Sequence, residues 1–200
     1  MKCFFLIIIF AWQSTASLYF RAAPASSSAG NGAQIGAGVD VYSQLHDRIA
    51  IDIDLNAVRE PKLYVGDGWA FRAQAEGLAR IAGPWWAGGG FAFGRHSNSQ
   101  YTKSQWQPMA SLHFRPHMGL DLYGSYLFPG TGLNNDNRLT TLRAGYRGVW
   151  RIDPASKWGI FLQSEFSRSW FDQPINNQVR RLASNGIVFG IGAARIYGDK

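Results

Sequence analysis

Along most of the chain, apolar and polar residues alternate with a period of two. In residues 49–56, for example, Ile51 and Ile53 alternate with Asp52 and Asp54. A strand turns successive side chains to opposite faces, so this period is typical of β-structure. The alternation recurs in about nine segments, and no segment sustains a helical period. The pattern therefore predicts an all-β, antiparallel protein.

Aromatic residues bound the apolar face of many of these segments. The segments are about ten residues long, enough to cross a bilayer at a tilt. An apolar band between two aromatic girdles is typical of a transmembrane β-barrel. We therefore predict an up-and-down transmembrane barrel of about eight strands, the nearest even number. The predicted girdle consists of Trp69, Trp106, Phe114, Tyr126, Phe128, Trp150, Trp158 and Phe166.

The polar faces carry charges of both signs. In a narrow barrel such a face lines the lumen, where buried charges must be paired. We predict an internal ion-pair network and no open channel. The alternative is the solvated face of a soluble β-sandwich, which alternates in the same way. The predicted network consists of Asp52, Asp54, Arg72, Glu76, Arg80, Arg115, Asp121, Arg143, Arg147 and Glu165.

Short and long connections also alternate along the chain. Short turns are expected at residues 83–84, 115–117 and 153–156, and longer polar loops at 60–67, 96–104, 129–137 and 172–181. Transmembrane barrels have short periplasmic turns and longer outer loops, so the chain should end on the periplasmic side. Nine segments is an odd number. Residues 34–43 are therefore an extra or fused segment, or the chain contributes to a larger barrel.

The N-terminus predicts export. Met1–Ala16 has a basic start, a short apolar core and a small-residue cleavage signal, which indicates a signal peptide cut after Ala16. A membrane anchor is the alternative, but about ten apolar residues are too few to span a bilayer. Residues 17–32 are rich in Ala, Ser, Gly and Pro and predict a flexible leader, followed by the barrel at 33–200. Cleavage would remove Cys3, the single cysteine, so no disulfide is expected.

The chain is basic, with a formal net charge of +7 and a pI of about 9.8. Its Lys and Arg residues form neither a run nor a helical stripe, which argues against nucleic-acid binding. Contact with anionic lipid or polysaccharide suits this charge better.

The combination of signal peptide, amphipathic strands and alternating loops resembles small bacterial outer-membrane barrels of the OmpA and OmpX kind. This resemblance implies an outer-membrane location among lipid and lipopolysaccharide. It also implies a structural or surface-interaction role, with polysaccharide, a host surface or phage as partner. A second likeness involves Phe114-Arg115-Pro116, Pro129-Gly130 and Leu139–Tyr146. It is similar to the C-terminal barrels of bacteriophage N4 receptors and exopolysaccharide-export porins, and implies an export or secretion pore component.

One short motif suggests chemistry. His96-Ser97-Asn98 is similar to the His-x-Ser-Asn signature of lipid A deacylases with small barrels. The resemblance implies His96 as base and Ser97 as nucleophile, with Glu76 or Glu165 orienting the histidine. The motif is one residue shorter here, which puts His96 and Ser97 on opposite faces of a strand. Both glutamates are predicted inside the barrel, so a hydrolase is the secondary hypothesis and a non-enzymatic role is favoured.

No cofactor or metal site is predicted. His113 and His117 are four residues apart but need not converge on a strand and turn, and no ligand set is evident. Gly88–Gly90 lacks the strand–helix context of a phosphate loop. Small residues there are expected to relieve crowding in a narrow lumen.

Overall fold

The computed structural model of the chain describes residues 13–27, 30–60, 68–97, 102–117, 119–132, 139–175 and 178–198. These residues form β-strands joined by turns. The strands are β1 (Gln13–Ser27), β2 (Gly30–His46), β3 (Ile49–Glu60), β4 (Gly68–Ala82), β5 (Trp85–Ser97), β6 (Thr102–His117), β7 (Leu120–Leu127), β8 (Thr131–Gly132), β9 (Thr140–Arg151), β10 (Trp158–Ile175) and β11 (Gln178–Tyr197). In this part of the chain, no helix is long and apolar enough to cross a membrane.

Every pair of neighbouring strands is antiparallel, and the sheet closes on itself. β1 pairs with β11 and β5 pairs with β6, which completes a ring. The two-residue β8 continues the line of β7 along β6. Met109 is opposite Leu127 and, after a shift of one residue, Trp106 is opposite Thr131. The predicted antiparallel barrel is confirmed, but the described ring has ten strands where about eight were expected.

The tenth strand lies where composition predicts a leader. β1 covers residues 13–27 and β2 begins at Gly30, so the predicted flexible leader at 17–32 is wrong. Tyr19 anchors β1: its ring lies 5.2 Å from the ring of Phe161, and its hydroxyl donates to the carboxylate oxygens of Asp54 at 3.0 Å. The alternating stretch in β1 is short and is followed by Ala, Ser and Pro, which is why the sequence pattern does not reveal it. With β1 included, the strand count becomes even.

The signal peptide stays a prediction, because residues 1–12 lie outside the described part of the chain. Cleavage after Ala16 would fall within β1, whose first residues are already paired. Ser14 is opposite Tyr197 of β11 and Ser43 of β2.

The connections divide between two ends of the barrel. At the short-turn end the chain reverses at residues 47–48, 83–84 and 152–157 and between His117 and Leu120. The start of β1 lies beside the end of β11. The long-loop end has the connections from β1 to β2, β3 to β4, β5 to β6, β7 to β9 and β10 to β11. The first and last described residues thus lie at the short-turn end, which is the periplasmic end in the predicted orientation.

Several predicted loops are partly strand. Segment 172–181 is strand except at its turn, since β10 runs to Ile175 and β11 starts at Gln178. β8 lies within predicted loop 129–137. Strand residues also occupy parts of 60–67 and 96–104. The predicted short turn at 115–117 is wrong, since these residues are the end of β6. Polar composition does not prevent strand formation where antiparallel pairing satisfies the backbone. Residues 61–67, 98–101 and 133–138 lie outside the described chain.

Two hairpins project beyond the wall at the long-loop end. β10 and β11 pair as far as Ile175 and Gln178, but β9 stops pairing with β10 at Trp170 and β1 stops pairing with β11 at Phe189. The β1–β2 hairpin also continues past its last pairs with β11 and β3. The described ends of these four strands therefore extend beyond the ring.

The two faces of the sheet have reversed polarity compared with a soluble protein. Each of the ten long strands exposes at least one large apolar side chain on its outer face, Phe20 at 68% and Ile191 at 58% among them. Many inward-facing charged groups are buried. Soluble proteins bury apolar and expose charged side chains, so this surface needs an apolar surrounding.

Tyr19→Ala tests whether β1 is part of the barrel. Tyr19 is 1% exposed, so its loss should lower the free energy of unfolding by about 3–5 kcal/mol, as for other large buried aromatics. Denaturant unfolding in lipid vesicles, followed by tryptophan fluorescence, measures the change. Phe20→Ala is the matched control and should have a much smaller effect. Small effects of both substitutions would contradict the placement of β1.

Candidate functional site

The lumen holds the predicted charged residues, with one at its mouth. Asp52, Asp54, Arg72, Glu76, Arg115, Asp121, Arg143, Arg147 and Glu165 all lie on inward faces, where each contacts other inward-facing groups. Arg80 is exposed at the short-turn end, where its Nε donates to the carbonyl of Gly83 at 2.5 Å.

Arg147 is the centre of the lower part of the lumen, nearer the short-turn end. Its guanidinium donates to Asp40 at 2.7 Å, to Asp121 at 2.9 Å and to Asp52. Arg115 links two of the same carboxylates, at 3.2 Å to Asp52 and 2.7 Å to Asp121. Asp40 is absent from the predicted network. The alternation of Val39, Asp40 and Val41 is the sequence signal that would have placed it inside.

A serine, a histidine and an aspartate adjoin this cluster in the order of a hydrolytic triad. His113 Nδ1 lies 2.9 Å from Asp121, and His113 Nε2 lies 3.0 Å from Ser111 Oγ. Ser111 also contacts Glu76 at 2.5 Å. An ionised carboxylate only accepts hydrogen bonds, so the single hydroxyl hydrogen of Ser111 goes to Glu76.

The hydrogen-bond directions decide the role of His113. Because Ser111 donates to Glu76, Nε2 of His113 must donate to Ser111. Nδ1 must likewise donate to Asp121, so the ring is an imidazolium that also pairs with Glu76 at 3.5 Å. A doubly protonated ring has no free nitrogen to accept the serine proton, and a triad needs one. Glu76, Ser111, His113 and Asp121 therefore form a buried ionic link between β4, β6 and β7.

The upper part of the lumen, nearer the long-loop end, is more amide- and hydroxyl-rich. Arg143 donates to Gln74 at 2.8 Å, and Tyr123 donates to Glu165 at 2.8 Å. Arg72 lies 3.6 Å from Glu165. Further contacts join Arg21 to Asn56 at 2.7 Å and Thr141 to Ser169 at 3.0 Å.

Apart from Arg80 at its mouth, the described lumen holds equal numbers of acidic and basic groups. Six inward-facing carboxylates, of Asp40, Asp52, Asp54, Glu76, Asp121 and Glu165, match five arginines and one imidazolium, of Arg21, Arg72, Arg115, Arg143, Arg147 and His113. Balance of this kind lets charges stay buried at close quarters.

Two cavities show where the lumen is open and where it is filled. One of about 200 Å³ opens at the short-turn end and is lined by Tyr42, Arg80, Trp86, Arg115 and Phe161, among others. The other, at the waist between Tyr123, Glu165 and Arg72, measures about 10 Å³. That is about the space of a single water molecule, so side chains fill the barrel at its waist.

Glycines make room for this packing, as expected for Gly88–Gly90. A Cβ at Gly88 would lie 2.6 Å from Leu78 and 2.7 Å from the carboxylate of Glu76. A Cβ at Gly90 would lie 2.7 Å from the backbone of Glu76. The glycines therefore permit the close approach of strands β4 and β5 that the lumen requires.

The two glutamates that the deacylase-like motif would need lie elsewhere in the barrel. His96 and Ser97 are the last residues of β5, with Ser97 opposite Trp69 and Thr102. Glu76 is opposite Gly90, about 23 Å down the strand from Ser97 at about 3.3 Å per residue. Glu165 is bonded to Tyr123 inside the lumen. The side chain of His96 lies outside what the structure describes. Within the described residues, no group of three or more His, Cys, Asp or Glu could hold a metal ion.

The predicted girdle residues fall into two groups. Trp69, Trp106, Tyr126, Phe128 and Phe166 lie toward the long-loop end, and Phe114, Trp150 and Trp158 lie toward the short-turn end. All are exposed except Phe114, which is half-buried because Trp85 packs against it edge-on at 5.0 Å. Trp85 is a further exposed aromatic at that end.

Several solved structures are similar to this chain, all at low sequence identity. No protein-family model and no curated protein sequence matches the chain. The translocator domain of the autotransporter NalP from Neisseria meningitidis is 11% identical, with a TM-score of 0.49 over 92% of this chain and 88% of that one. OmpT of Vibrio cholerae is 13% identical, with a TM-score of 0.41 over 82% of this chain but only 57% of its own. Ail of Yersinia pestis is 11% identical, with a TM-score of 0.40 over 92% and 98%.

The class of the protein follows from its own surface. A closed sheet leaves no unpaired strand edge, and an apolar outer face with a polar interior is the arrangement that lipid requires. The chain is therefore a small transmembrane β-barrel of the bacterial outer-membrane type. Sequence identities of 11–13% transfer no activity or ligand from the proteins above.

Glu76→Ala tests the ionic lumen. Removing this carboxylate leaves the hydroxyl of Ser111 without its acceptor and takes away one of the two carboxylates that pair with the cationic His113. The free energy of unfolding should therefore fall by about 3–5 kcal/mol. Denaturant titration in lipid vesicles measures this free energy of unfolding. Asp47→Ala removes an exposed carboxylate from a turn and should be nearly neutral. An equally small effect at Glu76 would mean that this face is solvated.

Ile191→Arg tests the lipid-facing surface. Ile191 is 58% exposed and lies about midway along the outer face of β11, where an arginine should cost about 2–4 kcal/mol in a bilayer. Ile152→Arg, at a 77% exposed position in a short turn, is the control and should cost about 0–1 kcal/mol. The readout is folded yield in vesicles, seen as a heat-dependent gel shift. Equal tolerance of both substitutions would indicate a surface in contact with water.

Proposed function

We propose that the protein is a closed outer-membrane barrel that presents its long-loop end at the cell surface, where it contacts envelope polysaccharide, a host surface or phage. The observation that carries this proposal is the combination of a filled waist with hairpins that project beyond the wall. A barrel that conducts needs a continuous lumen, whereas a barrel that anchors a surface element does not.

The projecting β10–β11 hairpin is the strongest candidate for the contact surface. It extends five residues, 171–175, past the last pair between β9 and β10, about 16 Å along the strand. The rising part of β11 carries Arg180 and Arg181. Adjacent arginines suit an anionic partner, and anionic polysaccharide is the one we favour.

The roles of pore component and lipid A hydrolase have less support. A pore component would need the waist open, and Tyr123, Gln163 and Glu165 line only about 10 Å³ there. A lipid A hydrolase would need an acid beside His96 and Ser97. The two candidate glutamates are bonded to lumen groups instead.

Shortening the hairpin tests the proposed contact. Replacement of residues 172–181 by Asn-Gly should leave Phe171 opposite Leu182 across a tight turn and keep the barrel folded. Binding of the nanodisc-embedded protein to immobilised lipopolysaccharide should fall at least tenfold. The milder variant Arg180→Gln/Arg181→Gln should weaken binding and reduce its salt dependence. Wild-type binding by a folded, shortened variant would contradict the proposal.

A further inference from the structure

Two arginines on neighbouring strands face outward, away from the charged lumen. Arg168 on β10 and Arg195 on β11 are both exposed, and alternation places them on the same face as Phe166 and Ile191. No described carboxylate pairs with either residue, in contrast to most arginines of the lumen.

Aromatic rings hold both guanidinium groups. The Arg168 guanidinium carbon lies 5.5 Å from the centre of the Trp170 ring. That of Arg195 lies 5.6 Å from Trp158 and 5.2 Å from Tyr197. Such cation–π contacts orient a cation without neutralising it.

The surface between the two arginines is almost entirely apolar. It consists of Ile160, Leu162, Phe166, Ile187, Phe189, Ile191 and Ala193, with Ser164 and Asn185 at the same face. Along these two strands the arginines therefore bracket the face that contacts lipid chains.

The spacing matches the thickness of a membrane. Arg195 is opposite Trp158, and Trp158 and Arg168 are ten residues apart on β10. Ten residues at about 3.3 Å each, tilted by about 40°, rise about 25 Å, which equals the height of the apolar band of an outer-membrane barrel. One arginine thus lies at each boundary between hydrocarbon and headgroups.

We propose that these are two lipid-phosphate sites, one formed by Arg168 with Trp170 and the other by Arg195 with Trp158 and Tyr197. The inference rests on the proposed membrane location. An exposed cation without a protein carboxylate, at the depth of the headgroups, meets lipid phosphate as its nearest anion. A guanidinium fork matches phosphate oxygens, while the rings pack on the lipid glycerol and upper chain.

Native mass spectrometry of the purified protein in detergent tests the sites, with phosphatidylglycerol and diacylglycerol as probes. The wild type should retain up to two phosphatidylglycerol molecules and discriminate against diacylglycerol. Arg168→Gln and Arg195→Gln should each remove one high-affinity site, with about a tenfold loss of affinity there, and the double variant should remove both. Arg48→Gln, in the exposed turn between β2 and β3, is the matched control and should retain lipid as the wild type does.

The outcomes separate this inference from the proposed function. Equal retention of phosphatidylglycerol by the wild type and the double variant would overturn the phosphate sites. Retention of diacylglycerol as strongly as phosphatidylglycerol would also overturn them, because the contact would then be apolar. In both cases the protein would still fractionate with membranes. Recovery as a soluble protein that binds neither lipid would overturn the membrane location itself.

Discussion

The barrel depends on the pairing of β1 with β11. Before this contact forms, the sheet has two edges whose backbone groups lack partners, and lipid offers none. Nine residue pairs, from Ser14–Tyr197 to Ala22–Phe189, close the gap and bring the two described chain ends together. Tyr19 reinforces the closure from inside, since its ring packs on Phe161 of β10 and its hydroxyl binds Asp54 of β3. One short stretch of β1 thus links strands on both sides of the closure.

Closure also determines the chemistry of the interior. Ten strands surround a space that side chains can fill, so charges brought inside are forced within contact distance of one another. Arg147 meets Asp40, which is 107 residues away in sequence, and Asp52, which is 95 away. Each of these groups would be costly alone in a confined space, and together they form a balanced set. The same confinement holds His113 between two carboxylates, so a triad-like order of residues becomes a structural link.

The exterior shows the opposite chemistry and an asymmetry between the ends. Apolar side chains cover the outer face, and the outward arginines on β10 and β11 lie at its two margins beside aromatic rings. At the short-turn end the strands stop together in tight turns. At the long-loop end the β1–β2 and β10–β11 hairpins continue past their neighbours. The barrel thus combines a filled waist with hairpins that extend past the wall at one end only.

The sequence by itself determined the fold class and the sidedness of the strands, because a period of two assigns each residue to a face without reference to any other strand. It therefore predicted which charges, such as Glu76 and Arg147, face inward and which aromatics, such as Trp69 and Trp158, face outward. It did not reveal β1, because the alternation there is short and the composition resembles a linker. The predicted number of strands was therefore too low. Which inward charges meet, how Asp40 and His113 join them, and how far the hairpins rise were decided only by the tertiary structure. Those features depend on strand register around a closed ring, and register relates residues that are far apart in sequence.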